Sequence, residues 1–273
     1  MKFHPTKIVL LILSCLFSVP AFAGEDERLD LWPGQADKDA ALFVYRPTVK
    51  TDRHPAILIC PGGGYGGLAI DHEGHKLAEW FASEGFVAVV LKYRMPNGEH
   101  SIPLSDTEQA MKTIRSRASS WQVDTSRIGV IGSSAGGHLA ASLSTLAAKE
   151  NRPAFAILYY PVISFDNMTT HGGSKQNLLG KEVESPALVE RYSLEKQVDE
   201  QTPPTLIFFS DDDKVVPPAN GILYYTALQK KNIPASLYIF PEGGHGWGFN
   251  LGFTYHEDVK VLTLKWLKHI KIR

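Results

Sequence analysis

Residues 127–138 read Arg127-Ile-Gly-Val-Ile-Gly-Ser-Ser-Ala-Gly-Gly-His138. Residues 127–131 are mostly apolar and β-branched, which favours a buried strand, and residues 139–148 favour a helix. Between them, glycine, serine and glycine satisfy the pattern G-x-S-x-G, in which a serine hydroxyl stands exposed on a strained strand-to-helix turn. Gly132 and Gly136 leave space where a β-carbon would strike the neighbouring strand or helix. The pattern therefore makes Ser134 the candidate nucleophile.

Strand-like apolar segments alternate with helical segments on both sides of this stretch. The predicted strands cover residues 41–46, 56–60, 86–91, 127–131, 154–160, 205–209 and 235–240. The predicted helices cover residues 75–83, 103–121, 139–148, 218–231 and 255–270. This alternation indicates right-handed crossovers and a mostly parallel central sheet flanked by helices on both faces. Because catalytic residues lie at the carboxyl ends of such strands, partners of Ser134 are expected just after later strands.

Polar residues follow the last two predicted strands. Residues 210–217 read Ser-Asp-Asp-Asp-Lys-Val-Val-Pro, and residues 241–247 read Pro-Glu-Gly-Gly-His-Gly-Trp. A serine needs a base near pH 7, and His245 is the candidate to accept its proton. The register D-x-x-V-P favours Asp213 as the carboxylate that orients the imidazole. Asp211 and Asp212 stay open as alternatives, with turn formation or backbone capping as their expected role.

A glycine-rich segment follows an early strand. Residues 61–67 read Pro-Gly-Gly-Gly-Tyr-Gly-Gly, without the G-x-x-x-x-G-K-[ST] pattern of a phosphate-binding loop. We predict that it forms an oxyanion hole from the backbone N–H groups of Gly63 and Gly64 together with that of Ala135. A flexible turn is the alternative.

The first 23 residues differ from the rest of the chain. Lys2 and Lys7 form a basic start, residues 8–17 are an apolar run, and Ala21-Phe-Ala23 is a small-residue cleavage site. This pattern predicts a secretory signal peptide over residues 1–23 and a secreted or periplasmic protein. A membrane anchor is the alternative, but the apolar run is about half of the ~20 residues that span a bilayer.

The remaining residues, 24–273, are expected to form one domain. The chain has 273 residues and is 44% hydrophobic, which suffices for one sizeable core. Removing residues 1–23 leaves 26 basic and 29 acidic residues, a net charge of −3, which attracts neither nucleic acid nor an anionic membrane. Residues 164–202 are polar and contain no long apolar run, as expected of a lid or a binding insertion.

The cysteine and most histidines of residues 24–273 are expected to have no catalytic role. Cys60 is the single cysteine there, so an intramolecular disulfide is impossible, and it ends an apolar run as a small buried side chain would. We expect no metal site, because the histidines near the glycine-rich segment lack convincing ligand partners. The histidines given no catalytic role include His72, His75, His138 and His256. The segment His171-Gly-Gly follows no strand and is not assigned to the oxyanion hole.

Together these motifs resemble the α/β-hydrolase superfamily over essentially all of residues 24–273. Within it, the chain resembles the bacterial carbohydrate esterases, an acetylxylan-esterase-like and xylanase-B-like group of serine esterases. The segments that carry the resemblance are residues 61–65, 124–139, 213–217 and 244–246. The resemblance implies a single-domain α/β-hydrolase fold without a cofactor, and a Ser-His-Asp mechanism acting on short acyl esters, above all acetyl, of plant polysaccharides or oligosaccharides such as xylan. The chain departs from many relatives at Pro61, where they carry histidine, but the oxyanion donors are backbone groups.

The resemblance also suggests two substrate-binding residues and several rival functions. Tyr65 and Trp247 lie beside the oxyanion segment and His245, where their rings either stack on a sugar or pack at the pocket rim. The rivals are a feruloyl esterase, a serine peptidase of the prolyl-oligopeptidase type, and an inactive hydrolase fold that binds carbohydrate. Against the peptidase, the chain has no space for a propeller domain. Against the inactive fold, every catalytic element is present in order.

Overall fold

The computed structural model describes residues 24–35, 39–49 and 51–272, so the predicted signal peptide lies outside the described residues. Eight strands of this part of the chain form one sheet, in the order β1-β2-β4-β3-β5-β6-β7-β8. The strands are β1 (Glu27–Asp30), β2 (Ala41–Tyr45), β3 (His54–Cys60), β4 (Val87–Lys92), β5 (Val123–Ser133), β6 (Ala156–Tyr159), β7 (Thr205–Ser210) and β8 (Ala235–Phe240). The pairs β1–β2 and β2–β4 are antiparallel and the remaining pairs are parallel. The predicted mostly parallel sheet is confirmed.

Helices connect the strands. They are α1 (Lys76–Ser83), α2 (Ser101–Ser116), α3 (Ser134–Thr145), α4 (Gly172–Leu179), α5 (Pro186–Tyr192), α6 (Ala219–Lys230) and α7 (His256–His269). A π-helical turn, Asp71–His75, precedes α1, so the chain is already helical before the predicted start at residue 75. Helix α2 ends at Ser116 rather than at residue 121, because the chain turns there to bury Trp121. Helix α3 begins at Ser134, so no loop separates strand β5 from the helix.

Two strands, β1 and β5, differ most from the prediction. Strand β1 was not predicted, because its four residues alternate between half-buried and exposed and contain a single apolar side chain. Strand β5 begins at Val123 rather than at residue 127. Val123 pairs with His54, and the polar residues 124–127 follow where the register with β3 is irregular. Pairing with a neighbouring strand thus extends the sheet over residues whose composition alone favours a loop.

The segment 164–202 is ordered and packed against the domain. It contains the helices α4 and α5. Several of its apolar side chains are buried, including Phe165, Leu179 and Leu194. The amide of Asn177 donates to the carbonyl of Gly64, with 2.9 Å between Nδ2 and O, so the segment contacts the glycine-rich loop. Its role as a lid or binding insertion stays a prediction.

The core lies on both faces of the sheet. All seven residues of β3 are buried, including Cys60 at its end. Burial raises the pKa of the Cys60 thiol, so the side chain stays neutral and behaves as a small apolar group.

Within the described part of the chain, none of the helices has the length and apolar character of a membrane span.

Candidate active site

Strand β5 and helix α3 form the predicted turn around Ser134. The backbone of Ser134 has a φ of +54°, in the left-handed region that a residue with a β-carbon rarely adopts. A β-carbon added to Gly132 would lie 2.1 Å from the carbonyl oxygen of Gly136, and one added to Gly136 would lie 2.1 Å from that of Cys60. Both glycines are therefore required for the close approach of helix and strands that presents the serine.

Three side chains from the carboxyl ends of β5, β7 and β8 form a hydrogen-bonded chain. His245 Nε2 lies 2.8 Å from Ser134 Oγ, and His245 Nδ1 lies 2.7 Å from Asp213 Oδ2. Because the carboxylate only accepts, Nδ1 carries the ring proton and Nε2 is free to accept from the serine hydroxyl. The side chain of Asp213 is 0% exposed and that of His245 is 16% exposed. The structure brings together the three residues predicted as the catalytic group.

The three consecutive aspartates have different environments. Asp213 Oδ1 accepts from the N–H groups of Val215 and Val216, both at 2.9 Å, which orients the carboxylate toward the histidine. Asp212 is exposed and its Oδ1 accepts from Gly244 N–H at 2.8 Å. That backbone hydrogen bond is the main cause that lowers the pKa of Asp212. Asp212 is thus a backbone cap on the histidine loop, and Asp213 is the carboxylate that contacts His245.

The glycine-rich loop, residues 61–67, runs beside the serine. A β-carbon on Gly62 would lie 2.9 Å from Cβ of Ser134. Gly63 and Gly64 have φ values of +131° and +63°, and the carbonyl of Gly63 accepts from the N–H groups of Gly66 and Gly67. Within the described residues, the N–H groups of Gly63 and Gly64 meet no acceptor. A tight turn of this kind leaves two donors free next to the nucleophile, as an oxyanion hole requires.

The model of one protein family matches residues 42–228, and that family is described as BD-FAE. The chain belongs to the BD-FAE family. This membership and the resemblance to acetylxylan-esterase-like hydrolases are in agreement with its curated relatives. The BD-FAE chain is 40% identical over 237 residues to an acetylxylan esterase of Xylanibacter ruminicola, covering 86% of this chain and 49% of that protein. It is 37% identical over 219 residues to endo-1,4-beta-xylanase B of Butyrivibrio fibrisolvens, covering 75% of this chain and 34% of that protein.

The BD-FAE chain therefore spans about half, or less, of the length of the curated relatives that it matches.

Solved structures of similar proteins, in contrast, align with this chain along nearly the whole length of the solved chain. An acetyl ester-xyloside bifunctional hydrolase from Caldicellulosiruptor lactoaceticus superposes with a TM-score of 0.84 at 33% identity, over 92% of this chain and 98% of that one. The thermophilic esterase Est2 of Thermogutta terrifontis superposes with a TM-score of 0.77 at 26% identity, over 93% and 95%. The predicted single-domain α/β-hydrolase fold is confirmed.

Tyr65 and Trp247, the predicted substrate-binding residues, lie within the packing of the BD-FAE domain. Tyr65 is 2% exposed and its hydroxyl lies 2.9 Å from Nδ1 of His138. Trp247 is 5% exposed and stacks on Phe253, with ring centroids 4.4 Å apart. A ring so enclosed has no open face for a sugar, so this arrangement corrects the substrate-stacking assignment and fits the packing alternative.

His138 lies on helix α3 and links this helix to segment 164–202. Its Nε2 lies 2.9 Å from the carbonyl oxygen of Tyr192, which only accepts, so Nε2 carries the proton and Nδ1 accepts from Tyr65. The ring is fully buried and stacks on Phe165 at 4.6 Å. Burial lowers the pKa of His138 to about 4. The histidine is a neutral structural group, and the sequence analysis gave it no catalytic role.

We expect this histidine to make the fold sensitive to acid. Below about pH 6.5 the unfolded chain protonates His138 while the folded chain does not, so stability falls as the pH drops toward about 4. One such group accounts for about 3 kcal/mol over this range. Urea unfolding at pH 7 and at pH 4.5, followed by tryptophan fluorescence, measures the loss.

The control is His138→Gln, whose amide takes up no proton in this range. The variant is expected to be about 1–3 kcal/mol less stable than wild type at pH 7, because it cannot satisfy both hydrogen-bond partners in the same geometry. It should lose less stability than wild type between pH 7 and pH 4.5. An equal loss in both proteins would contradict the role of His138 in acid sensitivity.

The structure adds residues at the site that sequence reasoning missed. Glu73 is 3% exposed, and its carboxylate accepts from the N–H of Gly62 and the hydroxyl of Tyr160, both at 2.7 Å. His171, set aside in the sequence analysis, caps α4 and lies beside the glycine-rich loop, since a β-carbon on Gly64 would be 3.8 Å from its Cε1. Burial, and secondly the nearby His245, lower its pKa. No local pattern marks either residue, because the contacts that bring them to the site, Glu73 with Tyr160 and His171 with the loop of Gly64, join distant parts of the chain.

Among the described residues, no group of three histidine, cysteine, aspartate or glutamate side chains is close enough together to hold a metal ion.

Proposed function

We propose that this BD-FAE protein is a serine esterase that removes short acyl groups, above all acetyl, from plant polysaccharides or oligosaccharides such as xylan. The observation that carries the proposal is the chain of hydrogen bonds from Ser134 through His245 to Asp213. It supplies a nucleophile, a base in the correct tautomer and a buried orienting carboxylate. The acetyl and xylan parts of the proposal rest on the relatives, whose names include acetylxylan esterase and acetyl ester-xyloside hydrolase.

In the acylation step, Ser134 Oγ attacks the carbonyl carbon of the ester while His245 Nε2 takes the hydroxyl proton. The imidazolium that forms is stabilised by Asp213. The oxyanion of the tetrahedral intermediate is bound by the backbone N–H groups of Gly63, Gly64 and Ala135, and one such donor contributes about a hundred- to a thousandfold in rate. His245 then gives its proton to the departing sugar oxygen, leaving an acyl group on Ser134.

In the deacylation step, water takes the place of the sugar hydroxyl. His245 removes a proton from this water, which attacks the acyl carbonyl through a second tetrahedral intermediate in the same oxyanion hole. The proton returns to Ser134 Oγ as the carboxylic acid leaves. The cycle consumes one ester and one water, and it needs no cofactor.

We also propose that residues 1–23 are a cleavable signal peptide and that the enzyme works in the periplasm or outside the cell. A basic start, a short apolar run and the sequence Ala21-Phe-Ala23 support this proposal. Polymeric xylan is too large to enter a cell, which suits an exported enzyme.

The decisive experiment measures ester hydrolysis by residues 24–273. We expect kcat/KM for p-nitrophenyl acetate to exceed that for p-nitrophenyl octanoate by at least roughly tenfold, since a site adapted to acetyl does not accommodate a long chain. The same preparation should release acetate from acetylated xylan faster than it releases ferulate from feruloylated xylan.

Each rival function predicts a different outcome. Faster release of ferulate would indicate a feruloyl esterase, and cleavage of peptidyl anilides alone would indicate a peptidase. Binding to xylan without hydrolysis of any short ester would indicate an inactive hydrolase fold that binds carbohydrate.

A further inference from the structure

Glu73 lies under the active site, on the π-helical turn Asp71–His75 that follows the glycine-rich loop. Its Oε2 accepts from Gly62 N–H and its Oε1 accepts from the hydroxyl of Tyr160, so both carboxylate oxygens have a donor. A β-carbon on Gly62 would lie only 2.6 Å from Oε2, so the contact needs glycine there. Burying a carboxylate is costly unless it is paired, and here the pairing is with two polar groups from separate loops.

Tyr160 follows strand β6. It is the second residue of a hydrogen-bonded connection that runs from Gly62 through Glu73 and Tyr160 to Gly248. Its backbone has a φ of +36°, an outlier for a bulky residue, and its N–H is anchored to the carbonyl of Phe208 at 2.7 Å. Its hydroxyl donates to Glu73 and accepts from Gly248 N–H, also at 2.7 Å. Its ring lies edge-on to that of His245, with centroids 4.7 Å apart. Strain at a position adjoining the histidine indicates that the placement of this hydroxyl matters.

The connection joins two loops that have different proposed roles in catalysis. Gly62 directly precedes the oxyanion donors Gly63 and Gly64, and Gly248 belongs to the loop that carries His245. The π-helical turn also contacts the histidine loop directly, because Phe249 N–H donates to the carbonyl of His72 at 2.8 Å. Oxyanion donors and base must hold their separation to within a fraction of an ångström for both to act on one transition state.

We propose that Glu73, acting through Tyr160, is a positioning residue that holds the oxyanion loop and the histidine loop at the separation that the transition state requires. The inference deepens the proposed esterase function and rests on it. Glu73 forms no hydrogen bond to Ser134 Oγ or to His245, so its effect is on geometry. Burial and then Glu73 raise the pKa of Tyr160, so the phenol keeps the proton that it donates.

The test is Glu73→Gln, which keeps the shape but leaves one acceptor for two donors. If its oxygen accepts from Tyr160, its NH₂ group faces Gly62 N–H and displaces the oxyanion loop. We expect kcat for p-nitrophenyl acetate to fall about 10- to 100-fold with KM within about twofold, the signature of a group that acts in the transition state. The affinity for a trifluoromethyl ketone that mimics the tetrahedral intermediate should fall by the same factor as kcat/KM.

Two tyrosine variants sharpen the test. Tyr160→Phe breaks the bridge between the loops but leaves the bond between Glu73 and Gly62, so we expect roughly a tenfold loss of kcat. The double variant should be no worse than Glu73→Gln, because both changes interrupt one connection. Tyr159→Phe is the matched control, since the neighbouring buried phenol bonds to neither Glu73 nor Gly248, and it should keep wild-type kcat.

A folded Glu73→Gln enzyme with wild-type kcat would overturn the inference, and so would a loss that appears in KM alone. If that variant does not fold, Tyr160→Phe decides, and wild-type kcat there overturns the inference as well. If wild type hydrolyses no ester, the proposed function fails separately. In that case hydrogen exchange decides, because faster exchange at Gly62 and Gly248 in Glu73→Gln supports the coupling and unchanged exchange refutes it.

Discussion

Replacing Ser134 by alanine is expected to lower kcat for p-nitrophenyl acetate on the order of a millionfold, as in a comparable serine hydrolase. In the proposed mechanism the hydroxyl forms the acyl-enzyme, and no neighbouring group takes its place in the chain Ser134–His245–Asp213. Without it, residual turnover would come from the oxyanion donors acting on water. The measurement is steady-state hydrolysis with titrated enzyme, because a trace of wild-type contaminant sets the detection floor.

The adjacent Ser133 offers a matched control for this substitution. It ends strand β5, is 1% exposed, and its side chain makes no hydrogen bond to His245. Ser133→Ala should keep most of the activity and react with a fluorophosphonate probe, whereas Ser134→Ala should not react. Normal turnover by Ser134→Ala would refute the proposed nucleophile and with it the proposed mechanism.

Replacing Asp213 by asparagine is expected to lower kcat about ten-thousandfold while leaving the fold intact. Val215 N–H and Val216 N–H donate to Oδ1, so the amide oxygen of the variant would take that place and its NH₂ group would face His245 Nδ1. Nδ1 would then have to accept, which moves the ring proton to Nε2. In that tautomer the imidazole cannot take the proton of Ser134.

Asp212→Asn is the control that distinguishes the role of Asp212 from that of Asp213. Asp212 is exposed and caps Gly244 N–H, a contact that an amide oxygen reproduces, so we expect kcat within about threefold of wild type. Kinetics for both variants at pH 7 and 9, with circular dichroism to check folding, complete the comparison. A large loss in Asp212→Asn combined with little change in Asp213→Asn would reassign the orienting carboxylate.

Local sequence patterns predicted most of the fold and the central residues of the site. The elbow around Ser134 could be predicted from residues 127–138 because the motif itself contains the glycines that the turn needs, and the structure shows which atoms Gly132 and Gly136 approach. His245 could be predicted because parallel strands end at one edge of the sheet. The helices of residues 164–202 could not be read with their bounds, because their short apolar patterns gain stability from burial against the domain.

The sequence alone thus determined the candidate functional groups and their order along the chain. These are a glycine-rich loop, a serine on a strained turn, and an acid and a base after successive strands. Only the tertiary structure decided which aspartate contacts His245, because all three follow the same strand and differ in their hydrogen bonds. It also enclosed Tyr65 and Trp247 and brought Glu73 into contact with Tyr160, 87 residues away in the sequence. Burial and long-range hydrogen bonds depend on how distant segments pack, and no local pattern encodes that.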